Sequence, residues 1–419
     1  MRRKSIYSKD FLLILIGQII SLFGNQILRF ALPLYLLQQT GSSTLFGTIS
    51  ACSFIPMIIL FPIGGIIADR ANKRNIMVIL DFSTSALIIF FTIMAKVFYI
   101  VPLIAVTMII LFAIQGAYQP AVKSSIPILI DKEYLMQANS MVDIISSLAN
   151  MVGPVVGGLL FSLFGLSPVL YISIVCFFIS AIMEIFIKIP FERKEREENI
   201  FLTGFCDMKE SFRYIFKEKT ILWKISIIYG IVSMLLCSLF VIALPVLITQ
   251  NLGFSESMAN RLYGYAEGII AAGSVTGGLL AGILSKKLKA KTIPYLIIGC
   301  ASSILLGGLA LQAFHSSIAI YIVLVSGCSI LMILSTLFQI QMMSYVQILT
   351  PSELIGKVIS CVICVCMCSN PIGQFIYGFI FEHINKYTYI PFYVAAFIVI
   401  SMGVLSRRLF CKVDNEIQQ

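Results

Sequence analysis

Ionisable side chains stand inside long apolar runs of this chain, where they could bind protons or anions. Arg29 lies in the apolar stretch GNQILRFALPLYLL. An arginine at the centre of a membrane helix costs about 2.5–3.5 kcal/mol on insertion scales, so it needs an acidic partner or water. Other apolar runs carry the carboxyl groups of Asp81, Asp143, Glu184 and Glu267. A carboxyl group whose surroundings change can take up and release a proton.

The composition indicates a membrane protein. Of 419 residues 59% are hydrophobic and 12% are charged, against about 25% charged residues in soluble domains. Runs near 20 apolar residues recur, and in lipid each must be a helix, because only a helix satisfies its own backbone hydrogen bonds. The net charge of +10 does not indicate nucleic-acid binding, because the positive residues lie between the runs. The twelve runs are roughly 11–37, 44–68, 75–95, 99–122, 140–165, 168–189, 221–248, 262–285, 292–313, 317–345, 357–381 and 388–406.

The distribution of basic residues predicts the orientation of the chain. With the amino terminus inside, only Lys96, Arg261 and Lys386 of the 30 Lys and Arg fall outside, and Arg29 and Lys123 fall within helices. This bias predicts that both termini are cytoplasmic, in a multi-pass protein of a bacterial plasma membrane. The basic start MRRKSIYSK resembles a signal peptide, but the first apolar run is too long for one and is interpreted as the first span.

Two halves of the chain resemble each other. The segment ALPLYLLQQTG at 31–41 recurs as ALPVLITQNLG at 243–253. The pair Gly64-Gly65 in the next run recurs as Gly277-Gly278. These recurrences predict two pseudo-symmetric bundles of six helices, 1–189 and 221–419.

Repeats of this kind are typical of transporters. Six crossings return the chain to the same side, so the two bundles are parallel repeats, with a substrate site expected between them near the bilayer midplane. The segment 190–220 is a charged cytoplasmic linker with a candidate surface helix in its second part.

The loop after the second run carries a family signature. GGIIADRANKRN resembles the motif Gly-x-x-x-Asp-Arg-x-Gly-Arg-Lys of the major facilitator superfamily, which implies an all-α fold with twelve transmembrane helices. We expect Gly65 to let a neighbouring helix approach closely. We expect Asn72, at the position of the second glycine, to adopt a left-handed backbone conformation. The motif is carried by Gly65, Asp69, Arg70, Asn72, Lys73 and Arg74.

The fifth run carries a second signature. ANMVGPVVGGLL resembles the antiporter motif of the same superfamily, with Gly153, Pro154, Gly157 and Gly158 in place. The proline bends a helix and the glycines permit tight packing. In the family this motif implies export by exchange, and the alternative is a bent helix with a structural role only.

One departure from the family pattern concerns the fourth run. The family's arginine motif would place a basic residue at position 112, where this chain has Phe112. This absence weakens a proton mechanism carried over from the family. The pattern GAYQPAVKSSIP, with ANS at 138–140, resembles the macrolide-efflux branch of the superfamily.

Arg29 belongs to a polar stripe on the first helix, which lines the central cavity in this family. Gln18, Asn25 and Arg29 share one helical face, and Arg29 lies about 27 Å along the helix from residue 11, in the outer half of the membrane. A pliable apolar cavity with few polar groups suits bulky amphipathic ligands. The cavity candidates are Gln18, Asn25, Arg29, Phe30, Tyr35, Gln115, Tyr118, Gln119, Tyr229, Phe338, Gln339, Gln341 and Met342.

The carboxyl groups are assigned by depth. Glu267 is in the outer half, so we expect it to pair with Arg29 and to be the proton-responsive site, the alternative being a static ion pair. We expect Asp81, Asp143 and Lys123 to join Asp69 and Arg70 in an inner charge cluster that gates the cytoplasmic side, the alternative for Asp81 and Asp143 being contact with the substrate. Glu184 sits one turn inside the membrane edge, where it is expected to reach the interface.

Cofactors and enzymatic activity are not indicated. Cys361, Cys364 and Cys368 share a helical face, but cysteine serves as a small apolar residue in packed helices, and no metal site is assigned. No loop of the form Gly-x-x-x-x-Gly-Lys-Ser/Thr is present, so direct ATP hydrolysis is not expected. No serine or histidine arrangement suggests an enzyme.

The sequence therefore predicts a secondary exporter of lipophilic, macrolide-like compounds that exchanges them for protons and works as a monomer. One alternative keeps the fold and moves a lipid or siderophore, whose head group Arg29 would hold. Another is a sensor or partner subunit that transports nothing. The resemblance leaves open an ATP-binding partner protein.

Overall fold

The computed structural model describes residues 8–131, 134–189, 220–284, 289–350, 355–384 and 387–418, and these residues form twelve helices long and apolar enough to cross a membrane. The twelve predicted runs each fall on one helix, which confirms an all-α membrane protein. The helices are α1 Lys9–Thr40, α2 Ser43–Arg70, α3 Lys73–Met94, α4 Ile100–Leu129, α5 Leu135–Phe164, α6 Leu166–Ile185, α7 Thr220–Val246, α8 Glu256–Leu284, α9 Ile293–Ala313, α10 Ser317–Leu349, α11 Ile355–His383 and α12 Ile390–Gln418.

Local sequence fixes several helix ends. The Ser8 hydroxyl accepts a hydrogen bond from the Phe11 amide at 3.4 Å and caps the start of α1. Gly41, with φ of 63°, ends α1 in the left-handed conformation that favours glycine. Pro245 lies in the last turn of α7, and a π-helical turn, Leu247–Asn251, follows directly. A proline in a helix removes a backbone hydrogen bond, which accounts for the loosened winding there.

The chain divides into two compact units, and each draws on both halves of the sequence. The first unit comprises the described residues of Met1–Gly41, Cys52–Arg196 and Ser255–Gly268. The second comprises those of Ser42–Ala51, Glu197–Phe254 and Ile269–Gln419. The first part of α2 therefore belongs to the second unit, and the first part of α8 belongs to the first. The predicted linker 190–220 lies, except for Thr220, outside the described residues.

The same helix pairs recur in both units. In the first unit α1 packs on α5 and α6, and α3 packs on α4 and α6. In the second unit α7 packs on α11 and α12, and α9 packs on α10 and α12. Each pair in the second set lies six helices after its counterpart. This repetition agrees with the expected pseudo-symmetry of the two halves, while the bundle bounds 1–189 and 221–419 stay a prediction.

Large apolar side chains remain on the surface of the helices. Phe397 is 72% exposed, and Ile283 and Leu405 are each 77% exposed. In a bilayer acyl chains surround such side chains, so their exposure carries no penalty there.

The glycine pairs of α2 and α8 correct one prediction. A Cβ on Gly64 would lie 2.7 Å from the Ala117 Cα, and one on Gly277 would lie 2.7 Å from the Ile333 carbonyl oxygen. A Cβ on Gly65 or Gly278 would have nothing within 4 Å. The expectation that Gly65 permits the close approach is therefore wrong. The first glycine of each pair faces the neighbouring helix, and the second faces away from it.

Candidate functional site

Neutral groups hold Arg29. Its Nη1 donates to the Gln115 Oε1 of α4 at 3.0 Å, and its guanidinium carbon lies 4.5 Å from the ring centroid of Phe112. Phe112 in turn packs edge-on against Phe54, with ring centroids 4.9 Å apart. Phe112 occupies the position where the family motif has a basic residue. An aromatic face there attracts a cation, whereas a second basic residue would repel Arg29.

Glu267 has a different partner from the one predicted. Its carboxyl group interacts with the hydroxyl of Tyr263, one turn earlier on α8. The Tyr263 ring stacks on Phe30 of α1 with centroids 4.8 Å apart. Among the ion pairs of the described residues there is none between Arg29 and Glu267, so the predicted pairing is wrong for this structure. Similar depth along two helices does not fix the direction in which each side chain points.

Other polar side chains of α1, on either side of Arg29, contact α5 and α8. The Gln26 amide donates to Asn150, and the Gln38 amide donates to the Asn260 Oδ1 at 2.6 Å. Tyr35 packs edge-on against Phe161, with centroids 6.3 Å apart. Tyr35, Gln38, Phe161 and Asn260 line a pocket of about 310 Å³ within the first unit.

Two other α1 and α4 candidates are half-buried. The Oδ1 of Asn25 is buried and has no hydrogen-bond partner among the described groups. Gln119 is half-buried one turn after Gln115 on α4. Neither position contradicts a cavity role, which stays a proposal.

Three predicted cavity residues line one cavity of the second unit. Tyr229 of α7 packs against Phe338 of α10 with ring centroids 5.7 Å apart and an interplanar angle of 64°. Both residues and Gln339 line a cavity of about 240 Å³. The Ser233 hydroxyl donates to the Asn370 Oδ1 at 3.2 Å in its wall. The cavity therefore combines an aromatic surface with a few polar groups.

Gln341 serves packing rather than this cavity. It is 4% exposed, and its Nε2 donates to the Lys289 carbonyl oxygen at 2.6 Å and to the Thr292 hydroxyl at 3.0 Å. The side chain thus fixes the turn that precedes α9. The prediction that Gln341 lines the cavity is wrong, because neighbours on α10 point in different directions. Met342, which follows it, is 2% exposed and is also packed inside the protein.

A buried hydrogen-bonded chain crosses α1, α4 and α6. The Gln18 Nε2 donates to the Tyr118 hydroxyl at 2.8 Å, and that hydroxyl donates to the Glu184 Oε1 at 2.7 Å. Gln18 is 1% exposed, Tyr118 5% and Glu184 2%. Gln18 and Tyr118 therefore do not line an open cavity, and Glu184 does not reach the interface, contrary to expectation.

Asp81 lies beside this chain and not in a cytoplasmic charge cluster. It is 2% exposed, and its Oδ1 accepts a hydrogen bond from the Ser21 hydroxyl at 3.2 Å. It is an electrostatic neighbour of Glu184. The polar spacing of Gln18 and Ser21 on α1, three residues apart, is the sequence signal that could have predicted a polar face here.

The gating loop has a different local structure from the one expected. Asn72 has φ of −65° and ψ of 110°, and its Oδ1 accepts a hydrogen bond from the Arg74 amide at 3.1 Å. It is therefore the N-cap of α3 and not a left-handed residue. Lys73 is 9% exposed and Arg74 is half-buried. Lys123 and Asp143 are exposed, and the side chains of Asp69 and Arg70 lie outside the described part.

The glycines of the antiporter motif lie at close helix crossings. A Cβ on Gly157 would lie 3.5 Å from the Ile27 Cα on α1. A Cβ on Gly158 would lie 2.9 Å from the Gly264 Cα on α8. Pro154 lies at the same crossing, because its carbonyl oxygen would be 2.8 Å from a Cβ on Gly264. Gly153 likewise faces α1, where a Cβ would meet the Gln26 side chain.

The second unit contains an equivalent crossing. A Cβ on Gly47 of α2 would lie 2.9 Å from the Gly378 Cα of α11. The Glu382 Oε2 accepts a hydrogen bond from the Thr44 amide at 3.2 Å, which places a carboxylate at the amino-terminal end of α2. In the first unit the Ser162 hydroxyl donates to the Ser257 carbonyl oxygen at 2.7 Å beside the α5–α8 crossing.

Comparisons with known proteins agree with this architecture. A family model described as Major Facilitator Superfamily matches residues 14–369. Macrolide efflux protein A of Streptococcus pyogenes is 25% identical over 429 residues, covering 100% of this chain and 99% of the relative. The Staphyloferrin A transporter of Staphylococcus aureus is 24% identical over 185 residues, 43% of this chain and 44% of the relative. A solved bacterial homologue of the human lysosomal transporter Spinster has the same fold, with a TM-score of 0.71 at 13% identity over 96% of this chain and 97% of that chain.

Proposed function

Because the chain belongs to the Major Facilitator Superfamily, and is thus a multi-pass transporter of the bacterial plasma membrane, we propose that it exports macrolide-like lipophilic compounds in exchange for protons. The observation that carries this proposal is the similarity to Macrolide efflux protein A along the whole length of both chains. No enzymatic step is involved: the substrate crosses by alternating access, and the proton gradient drives its export.

The cavity of the second unit supports the proposed substrate class. Tyr229 and Phe338 offer aromatic faces to an apolar ring system. Gln339 and Asn370 offer amide groups that can bind hydroxyl or carbonyl groups of the substrate. Aromatic and aliphatic side chains stand beside hydroxyl and amide groups in this lining, and such a combination suits an amphipathic molecule.

The proposed coupling residues are Arg29 and Glu267. Each is held by a neutral neighbour, Gln115 and Tyr263 respectively. Arg29 and Glu267 do not form an ion pair with each other in this structure. Each side chain is therefore able to interact with an incoming substrate or proton. Glu267 then acts as a proton-responsive group and Arg29 as a charge that changes its surroundings during the transport cycle.

Expression in a macrolide-sensitive bacterium tests the function. We expect increased tolerance to macrolides and export of a labelled macrolide that a protonophore abolishes. Phe338→Ala should reduce export, because it removes an aromatic wall of the cavity. Phe314→Ala is the matched control, since Phe314 is 46% exposed and lies at the end of α9, away from the cavity lining. The proposal would be contradicted if cells that express the wild-type protein showed unchanged tolerance and no export of the labelled macrolide.

An anionic cargo is a second candidate function. The guanidinium of Arg29 is bound to an amide and an aromatic ring, which leaves it able to bind a carboxylate or phosphate. The similarity to the Staphyloferrin A transporter over 185 residues also keeps a siderophore among the candidate cargoes. Transport of a carboxylate siderophore that Arg29→Gln abolishes and Arg29→Lys retains would favour this candidate over the macrolide exporter.

A further inference from the structure

Four helices of the first unit bring two carboxyl groups together in a buried place. Asp81 on α3 and Glu184 on α6 are each 2% exposed. The hydroxyl of Ser21 on α1 and that of Tyr118 on α4 donate to them at 3.2 Å and 2.7 Å. Gly17 on α1 lies beside the second carboxyl, because a Cβ there would be in van der Waals contact with the Glu184 Cγ at 3.8 Å.

The hydrogen-bond donors and acceptors of this cluster do not balance. Ionised carboxylates only accept hydrogen bonds, and each of these two has only one oxygen bonded. The buried Asp81 Oδ2, Glu184 Oε2 and Gln18 Oε1 have no partner among the described groups. The Ser180 hydroxyl is also near Asp81, but its single proton is donated to the Gly17 carbonyl oxygen at 3.1 Å. Three buried acceptors of this group therefore lack a donor.

The cluster also lacks a compensating positive charge. No Lys, Arg or His forms an ion pair with either carboxyl in the described parts of the chain. Lys73 is two turns before Asp81, about 12 Å along α3, and Lys188 is exposed one turn after Glu184. The titratable groups that face each carboxyl are the other carboxyl and Tyr118, and α1 adds only neutral groups. Two uncompensated negative charges side by side in an apolar interior are strongly unfavourable.

We infer that Asp81 and Glu184 form a proton-binding site, in which a bound proton is shared within the pair and Tyr118 links the pair to α1. A proton on Asp81 Oδ2 or Glu184 Oε2 turns an acceptor into a donor, and the unpartnered Gln18 Oε1 is an acceptor in the same hydrogen-bonded group. Proton uptake therefore removes a charge and supplies the missing donor in one step. The role of this site in driving export rests on the proposed function, whereas proton binding itself does not.

Infrared difference spectroscopy of the purified protein in lipid nanodiscs tests the site directly. We expect the wild-type protein to show the C=O stretch of protonated carboxyl groups at neutral pH. The double variant Asp81→Asn/Glu184→Gln should lose part of that band, because neutral amides replace both acids at nearly the same size. Glu256→Gln is the matched control, since Glu256 is exposed in the first turn of α8 and should leave the band intact.

A band of equal intensity in the double variant would overturn the inference. Loss of the wild-type band when sodium is added at constant pH would also overturn it, because the pair would then be a cation site. If the double variant does not fold, Tyr118→Phe replaces it. That change removes the hydroxyl bonded to Glu184 and should shift the frequency of the band, and an unshifted band would contradict the proposed proton site.

Transport by reconstituted vesicles separates this inference from the proposed function. The double variant should lose macrolide accumulation driven by a pH gradient and keep the exchange of labelled for unlabelled macrolide without a gradient. Gradient-driven accumulation at the wild-type level would remove the coupling role. If the wild-type protein moves no macrolide, the proposed function fails, while the infrared result still decides whether the pair binds a proton.

Discussion

The backbones of Gly158 and Gly264 touch where α5 crosses α8: a Cβ on the first would lie 2.9 Å from the Cα of the second, and the reverse distance would be 3.1 Å. Gly47 and Gly378 meet at 2.9 Å and 3.0 Å in the second unit. The corresponding helices of the two repeats therefore cross in the same way. Neither crossing leaves room for a side chain.

We predict that Gly158→Ala destabilises the protein by about 1–3 kcal/mol, because the added methyl group must push two backbones apart. Gly282→Ala is the control, as a Cβ there meets nothing within 4 Å and alanine favours a helix. Thermal unfolding in detergent compares the two variants. Equal unfolding temperatures would show that the crossing has enough freedom to accept a side chain.

Gln115→Leu should destabilise the protein by about 1.5–3 kcal/mol, because the Arg29 guanidinium would lose its hydrogen bond inside the protein. Gln119→Leu, one turn later on the same helix, controls for the loss of an amide on α4. The measurement is the apparent unfolding temperature of both variants. A smaller effect at position 115 than at 119 would mean that the Phe112 ring or water suffices to hold the charge.

The cap at Asn72 separates two explanations of the loop motif. Asn72→Ala should cost about 0.5–2 kcal/mol, because the Arg74 amide would lose its partner, while Asn72→Ser should retain most of the stability. A left-handed residue would give a different order, since glycine would then be the most stabilising replacement. Ranking Ala, Ser and Gly by unfolding temperature decides between them.

Glu267→Gln should leave the fold intact, because glutamine can keep the polar contact with Tyr263. If Glu267 couples export to protons, this variant loses macrolide transport driven by a pH gradient. The assay is the same vesicle experiment with Tyr263→Phe as a companion variant, which removes the hydroxyl but keeps the ring stacked on Phe30. Wild-type coupling in Glu267→Gln would exclude this carboxyl from the proton pathway.

The sequence predicted the helices well, because the lipid solvent allows few other structures for a long apolar run. The run 11–37 corresponds to Lys9–Thr40, and the repeated glycine pairs mark equivalent helices. The direction of each polar side chain was harder to predict. Arg29 and Glu267 were matched by depth, yet Arg29 bonds to Gln115 on α4 and Glu267 contacts Tyr263 on its own helix. Glu184 was expected at the membrane edge from its depth alone. Its burial could not be predicted, because it depends on a contact with Tyr118, 66 residues away.

Gln115 and Tyr118 stand on successive turns of α4, and through them this one helix touches both Arg29 and Glu184. A slide or rotation of α4 against α1 would disturb both contacts at once. If a bound cargo reorients Arg29 and thereby changes the proton affinity of the acid pair, proton binding at that pair must change the affinity for the cargo by the same factor. In that way α4 would couple cargo binding at Arg29 to proton binding at Glu184, although these two side chains do not contact each other.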